Sequence, residues 1–135
     1  MRCTGLGFPD TVCAHMASPP DLSVILPARN ESKRLPHTLT RLASYARKSA
    51  LELEVIVVDD HSDDDTRCVA SQLVSRLEVR GISSARRGPG AAMPTGLHQS
   101  RAPRSLLCDA DGPVPSAEIP PLRPPLARGA RLCPR

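Results

Sequence analysis

Four consecutive β-branched residues, Val55-Ile56-Val57-Val58, constrain this chain more than any other stretch. No polar residue alternates among them, so a strand built from them is buried on both faces. Strands of that kind belong to parallel sheets with helices packed on either side. Two other runs read the same way: Leu22, Val24, Ile25 and Leu26, ended by Pro27, and Leu106-Leu107-Cys108. Between the first two, Leu35, Leu39, Leu42 and Ala46 recur at helical spacing, with Ser32 as a candidate N-cap and Pro36 acceptable in a first turn. After Val58, Asp63 or Asp64 can cap a helix whose Val69, Leu73 and Leu77 face the sheet. A weaker strand around Glu78 to Ile82 leads through Arg86-Arg87-Gly88-Pro89-Gly90 into a short helix carrying Met93 and Leu97, with Pro94 awkwardly inside it.

Strands alternating with helices through short links predict an α/β fold: a Rossmann-like, mainly parallel sheet with flanking helices and right-handed crossovers. Phe8 and Tyr45 are the only aromatic residues and tryptophan is absent, so the core must be Val, Leu, Ile and Ala. The 135 residues suit one domain and are few for a stand-alone enzyme with two substrates. Residues 1–20 mix Cys, Gly, Pro and Met without period and read as a loose leader. Residues 21–112 form the α/β unit. From 113 to 135 the chain is a proline-rich tail with seven prolines, where a helix around Ser116 to Leu122 has little support.

The net charge of +4 comes from arginine, since Lys33 and Lys48 are the only lysines. Six arginines and one acid, Glu78, lie between Arg76 and Arg104. Such a stretch attracts phosphates or an acidic membrane surface, or is a solvated face. No aromatic interleaves those arginines to stack on bases, which argues against nucleic acid as a partner. Cys3, Cys13, Cys68, Cys108 and Cys133 are odd in number and form no C-x-x-C pair, which argues against a disulfide framework or a zinc site and for a reducing, cytoplasmic compartment. No apolar stretch approaches the ~18 residues of a membrane span. A lipid substrate would therefore be met peripherally, from the cytosolic face.

Each of the three apolar runs ends in a polar cluster: Pro27-Ala28-Arg29-Asn30-Glu31, Asp59-Asp60-His61-Ser62, and Asp109-Ala110-Asp111-Gly112. In open parallel sheets ligands bind outside the carboxyl ends of the strands, so the three clusters are expected to converge on one site. Asp109 and Asp111 stand two apart in extended chain and point to the same side, where they can face one hard cation, Mg²⁺ or Mn²⁺, whose shell is completed by water and phosphates. The same pair reads equally as a turn or a helix cap. Asp59, Asp60, Asp63, Asp64 and Asp65 are five carboxylates in seven residues and would repel one another unless several reach solvent or a helix N-terminus. Asp63 to Asp65 therefore read as a capping and solvated set. Asp59 and Asp60 are either a polar strand end or acceptors for a base N–H or a ribose hydroxyl. The Gly88-Pro89-Gly90 turn is either a plain turn or a place where backbone amides meet phosphate.

In this order, the motifs resemble the family 2 glycosyltransferases, and most closely the branch of polyprenyl- and dolichyl-phosphate mannosyl- or glucosyltransferases. The stretches that carry the likeness are Ser23 to Glu31 with Arg34-Leu35-Pro36, Glu54 to Ser62, and Gly88 to Gly96 running on to Leu107-Cys108-Asp109-Ala110-Asp111-Gly112, so that it covers roughly residues 22 to 126. The resemblance implies the N-terminal part of a GT-A fold and a nucleoside pocket lined by Pro27, Ala28, Glu31 and Asp60, with Arg29 and Val58 beside them. It also implies that Asp109 and Asp111 hold Mg²⁺ or Mn²⁺ on the diphosphate of a UDP- or GDP-linked hexose, with Ala110 close to the donor. The acceptor it implies is a polyprenyl phosphate at the membrane surface.

The chain departs from the family pattern at Arg29, where an aromatic is common, at His61 and Pro89, where Gly and Lys are usual, and at Pro94. No residue stands out as a catalytic base. Gly129 to Leu132 only weakly resembles a following strand, so the chain is expected to stop before the acceptor half, either as the donor segment of an enzyme or as a non-catalytic fragment. A receiver domain of two-component signalling also carries V-V-D-D-H with a later Asp after a buried strand. There, however, the acidic pair follows the first strand, and here no lysine follows Lys48 to contact a phosphorylated Asp109.

Overall fold

In the computed structural model the described residues are 19–72 and 77–110. They run β1 (Leu22–Ala28), α1 (Leu35–Ser49), β2 (Leu53–Asp59), α2 (Thr66–Gln72), β3 (Glu78–Ser83), α3 (Pro89–Gln99) and β4 (Ser105–Leu107). The four strands make one parallel sheet in the order β3-β2-β1-β4. This is the α/β, Rossmann-like sheet with flanking helices that the apolar runs predict.

The alternation of side chains along each strand divides the core in two. Leu22, Val24, Leu26, Leu53, Val55, Val57 and Val79 pack with Leu35, Leu39, Leu42 and Tyr45 of α1 and Ala70 of α2. On the opposite face Ile25, Ile56 and Val58 meet Ala92 of α3. Here the helix comes very close: a Cβ on Gly96 would lie 2.4 Å from Ile25 Cγ2 and 3.0 Å from Val58 Cγ2. That approach selects small residues for the inner face of α3, so Leu97 turns outward and is 47% exposed.

Several local expectations are corrected. Ser32 does not cap α1. The N-cap is Arg34, without a side-chain cap, and the Ser32 amide instead donates to Asp64 Oδ2 at 3.2 Å. β4 is not buried on both faces: Leu106 is half-buried and Leu107 is 42% exposed, because among the described residues β4 pairs only with β1. Leu77 is buried but lies beyond α2, and Leu73 falls outside the described residues. Pro94 is accommodated inside α3, where it is exposed. Cys68 is disulfide-bonded and Cys108 is free, where the cysteine pattern argued against a disulfide framework. Residues 1–18 and 111–135, and with them the leader, the tail, Asp111 and Gly112, lie outside the described residues.

Candidate functional site

The strand order reverses between β1 and β4. From β1 the chain steps outward through β2 to β3, then returns to the other side of β1 for β4. Helices on opposite faces diverge at such a point and leave a crevice outside the carboxyl ends of the strands. The segments at that edge are 29–34 after β1, 60–65 after β2, 84–88 after β3 and 108–110 after β4.

The first two segments interlock. The Asn30 amide donates to Ser62 Oγ at 3.0 Å, and Asn30 Oδ1 accepts the Asp63 amide at 2.8 Å. The Glu31 amide donates to Thr66 Oγ1 at 2.8 Å. Asp64 accepts the amides of Ser32 and Thr66 and the Thr66 hydroxyl. Its carboxyl titrates at about 2: slight burial pushes it up, and these hydrogen bonds pull it down much further. Asn30 and His61 both sit in the left-handed region, at φ 55° and 56°, where each strand breaks into its loop. Glycine is the ordinary residue for that conformation, and Asn and His are among the side chains that tolerate it.

The acidic pair after β2 is buried and engaged. Asp59 Oδ1 accepts the Ser62 amide at 3.2 Å, and its Oδ2 faces Arg67 Nη2 at 3.1 Å. Both oxygens of Asp60 accept the Gly88 amide, at 2.8 and 2.9 Å, and His61 Nδ1 lies 3.6 Å from Asp60 Oδ1. Glu31 pairs with Arg34 at 3.0 Å. Pro27 is half-buried, Ala28 is buried, and Arg29 is exposed. Val58 has no exposed surface; its side chain lies under α3 rather than in the crevice.

After β4, Cys108 hydrogen-bonds to the Ile25 carbonyl through its amide at 3.0 Å, and the buried Ala110 is fixed by its carbonyl, which accepts Thr38 Oγ1 at 2.9 Å. Asp109 between them is exposed, and no hydrogen bond or ion pair engages it among the described residues. The Cys108 thiol is pushed up to about 11 by burial and then by the Asp109 charge, so it is inert as a nucleophile near neutrality.

No group of three or more His, Cys, Asp or Glu side chains among the described residues could enclose a metal ion. A hard divalent cation held by one or two carboxylates and completed by substrate phosphates needs no such cage. The open Asp109 carboxylate, an oxygen donor at the rim of the crevice, fits that mode of binding. Sequence reasoning missed Thr66 and Thr38, and it did not foresee that Asn30 would brace the site or that the Gly88 amide, read as a plain turn or a phosphate contact, would meet Asp60. Thr38 had a signal, as a polar residue one turn after Leu35 on the apolar face of α1.

The family model for glycosyl transferase family 2 matches residues 23–133. The chain belongs to that family. It is 41% identical over 100 residues to human dolichyl-phosphate beta-glucosyltransferase, covering 67% of this chain and 31% of that protein. It is 34% identical over 116 residues to a dolichol-phosphate mannosyltransferase of Mycosarcoma maydis, covering 78% and 38%. The chain thus spans about a third of the length of these relatives.

Among solved structures, the mannosyltransferase PcManGT from Pyrobaculum calidifontis, in complex with GDP-Man and Mn²⁺, superposes with a TM-score of 0.61 at 27% identity, over 73% of this chain and 30% of that one. S. aureus TarS 1–349 in complex with UDP-GlcNAc has a TM-score of 0.66 at 22% identity, over 85% and 37%, and shows the shared fold. No helix among the described residues is long and apolar enough to cross a membrane.

Proposed function

We propose that this family 2 chain binds a nucleoside-diphosphate hexose, UDP- or GDP-linked, through a divalent cation, and forms the donor side of a hexose transfer to a lipid phosphate. The observation that carries this reading is the order β2-β1-β4 at the reversal of the sheet. It puts a buried carboxylate, Asp60, and an open one, Asp109, at strand ends two spacings apart, about 10 Å. This is the scale that separates the base of a nucleotide from its diphosphate.

In this arrangement Asp60 accepts an N–H of the base, and Pro27, Ala28 and Glu31 form the wall of the nucleoside pocket at the end of β1. Arg29, exposed on the same segment, draws the diphosphate toward the gap between β1 and β4. Asp109, with Asp111 beyond it in sequence, would hold Mg²⁺ or Mn²⁺, which supplies Lewis-acid neutralisation of the departing diphosphate. Ala110, held by Thr38, keeps the backbone next to Asp109 in place beside the donor. Val58 contributes through its backbone alone, since its side chain is covered.

The relatives named for dolichyl phosphate support a polyprenyl phosphate acceptor, met peripherally at the cytosolic face of a membrane. The described residues supply groups for the donor, and no base aimed at an acceptor is seen among them. Binding without transfer by residues 1–135 is the outcome this reading expects.

Calorimetry with UDP-glucose and GDP-mannose, with and without Mn²⁺, tests the proposal. One of the two should bind in a metal-dependent way, and Asp109→Asn should weaken it at least about tenfold, or ~1.4 kcal/mol, while leaving the melting temperature unchanged. Equal binding by wild type and Asp109→Asn would remove Asp109 from the metal site. Robust product from residues 1–135 with polyprenyl phosphate would refute the expectation of binding alone.

A further inference from the structure

Asp60 has a second partner that the donor reading does not use. Its two oxygens share the amide hydrogen of Gly88, 28 residues away, at 2.8 and 2.9 Å, and its own amide donates to the Ala28 carbonyl at 2.9 Å. Gly88, at φ 103° and ψ 154°, is the N-cap of α3, and it has no side chain to cap the helix itself. The turn before it is tied down as well: the Ser84 amide donates to the Asp59 carbonyl at 2.9 Å, and Ser84 Oγ donates to the Arg86 carbonyl at 2.6 Å. The helix is thus fixed at two places, by the close approach of Gly96 to Ile25 and Val58 along its body and by Asp60 at its start.

A carboxylate offers about four acceptor positions. One amide placed between the two oxygens takes the inner pair and leaves an outer lone pair on each. Releasing Gly88 to make room for a nucleobase would strand a half-buried amide without a partner, whereas accepting the base on an outer lone pair leaves nothing unsatisfied. We infer that Asp60 is a positioning residue for the turn 84–90 as well as a base ligand. It keeps the Gly88 amide while accepting the base, so that donor binding tightens the start of α3. This rests on the donor reading above.

Amide hydrogen exchange tests the two halves separately. In the ligand-free protein, Asp60→Ala should speed exchange at Gly88, Ala91 and Ala92 at least tenfold while leaving the β1–β2 amides unchanged. Asp60→Asn, which keeps one acceptor oxygen, should restore part of the protection, and it carries the comparison if the alanine variant does not fold. Unchanged exchange in both variants would overturn the clamp. In the wild type, saturating UDP or GDP with Mn²⁺ should slow the same amides at least threefold. Unchanged or faster exchange in the bound protein would mean that Asp60 swaps partners, and would overturn the coupling. Failure of both nucleotides to bind would overturn the donor reading and the coupling together, while the ligand-free comparison would still decide the clamp.

Discussion

The two ends of the sheet handle charge differently. At the amino end Glu54 is fully buried on the α3 face, and oppositely charged or hydroxyl side chains surround it. Ser23 Oγ donates to it at 2.6 Å, Arg80 at 3.0 Å, and Arg101 through both its amide at 3.0 Å and its Nε at 2.9 Å. Arg101 also pairs with Glu78, and Arg80 reaches the Gln99 carbonyl at 2.9 Å. At the carboxyl end Asp59 pairs with Arg67 at 3.1 Å and Glu31 with Arg34 at 3.0 Å, while Asp60 is met by the Gly88 amide and Asp64 by the amides of Ser32 and Thr66 and the Thr66 hydroxyl. Arg29 and Asp109 at that end are exposed, and among the described residues nothing engages them. The network around Glu54 lies away from the crevice, where it ties β1, β2, β3 and the α3–β4 link together. The crevice can then keep unpaired charge of both signs for a ligand without relying on it for the fold.

If the amino end is the anchor, removing Glu54 should have the largest effect on stability. Glu54→Ala leaves Arg80 and Arg101 facing a buried gap, and a loss of about 3–5 kcal/mol is expected in urea unfolding, the usual size when one partner of a buried pair is removed. A loss under about 1 kcal/mol, within the range of an ordinary surface change, would break the contrast.

Acid should act next. Burial pushes the Glu54 carboxyl up, but the bonds from Ser23, Arg101 and Arg80 outweigh it and hold the group below the ordinary glutamate range. Asp64 is held down at about 2, from 3.8. Carboxyls depressed by folding stabilise the protein fully above their unfolded values, and that stability is lost as pH falls through the folded ones. The melting temperature should therefore hold steady above about pH 5 and fall progressively toward pH 2. In Glu54→Gln the drop should be shallower. An equally steep drop there would move the acid-sensitive groups to the carboxyl end.

The smallest effect belongs to that carboxyl end. His61→Gly relieves a left-handed residue at φ 56°, and a gain of no more than about 1 kcal/mol is expected. A destabilised variant would show that the imidazole beside Asp60 contributes more than its backbone strain costs.

Much of the sheet was legible because Val55 to Val58 and Leu22 to Leu26 admit little besides buried parallel strands, and the polar clusters had to lie just beyond them. What was not legible depends on partners distant in sequence. Nothing in the spacing of Met93 and Leu97 shows that the close approach of α3 gives the inward positions to Ala92 and Gly96. Leu107 looked buried, but it lies on an edge. Asp60 reads as either a polar strand end or a ligand acceptor, and no local pattern in Asp59-Asp60-His61 shows that Gly88 occupies it. Nor does spacing alone show that Asn30 and Ser62 interlock, since this requires two left-handed residues to face each other across neighbouring strands.

The pairing of β4 with β1 joins Ser23 to Ser105 and Ile25 to Leu107, partners that lie some eighty positions apart in the chain. Contacts of such long range carry a somewhat higher loop-closure cost and form more slowly, whereas β1, α1 and β2 come from one continuous stretch. With three residues in register and one neighbouring strand among the described residues, β4 is also the element expected to open most readily. The crevice is thus expected to assemble in two stages, its Asp60 side early and its Asp109 side late. A molecule spanning both would act as a fastener, making the lifetime of the closed sheet depend on ligand concentration.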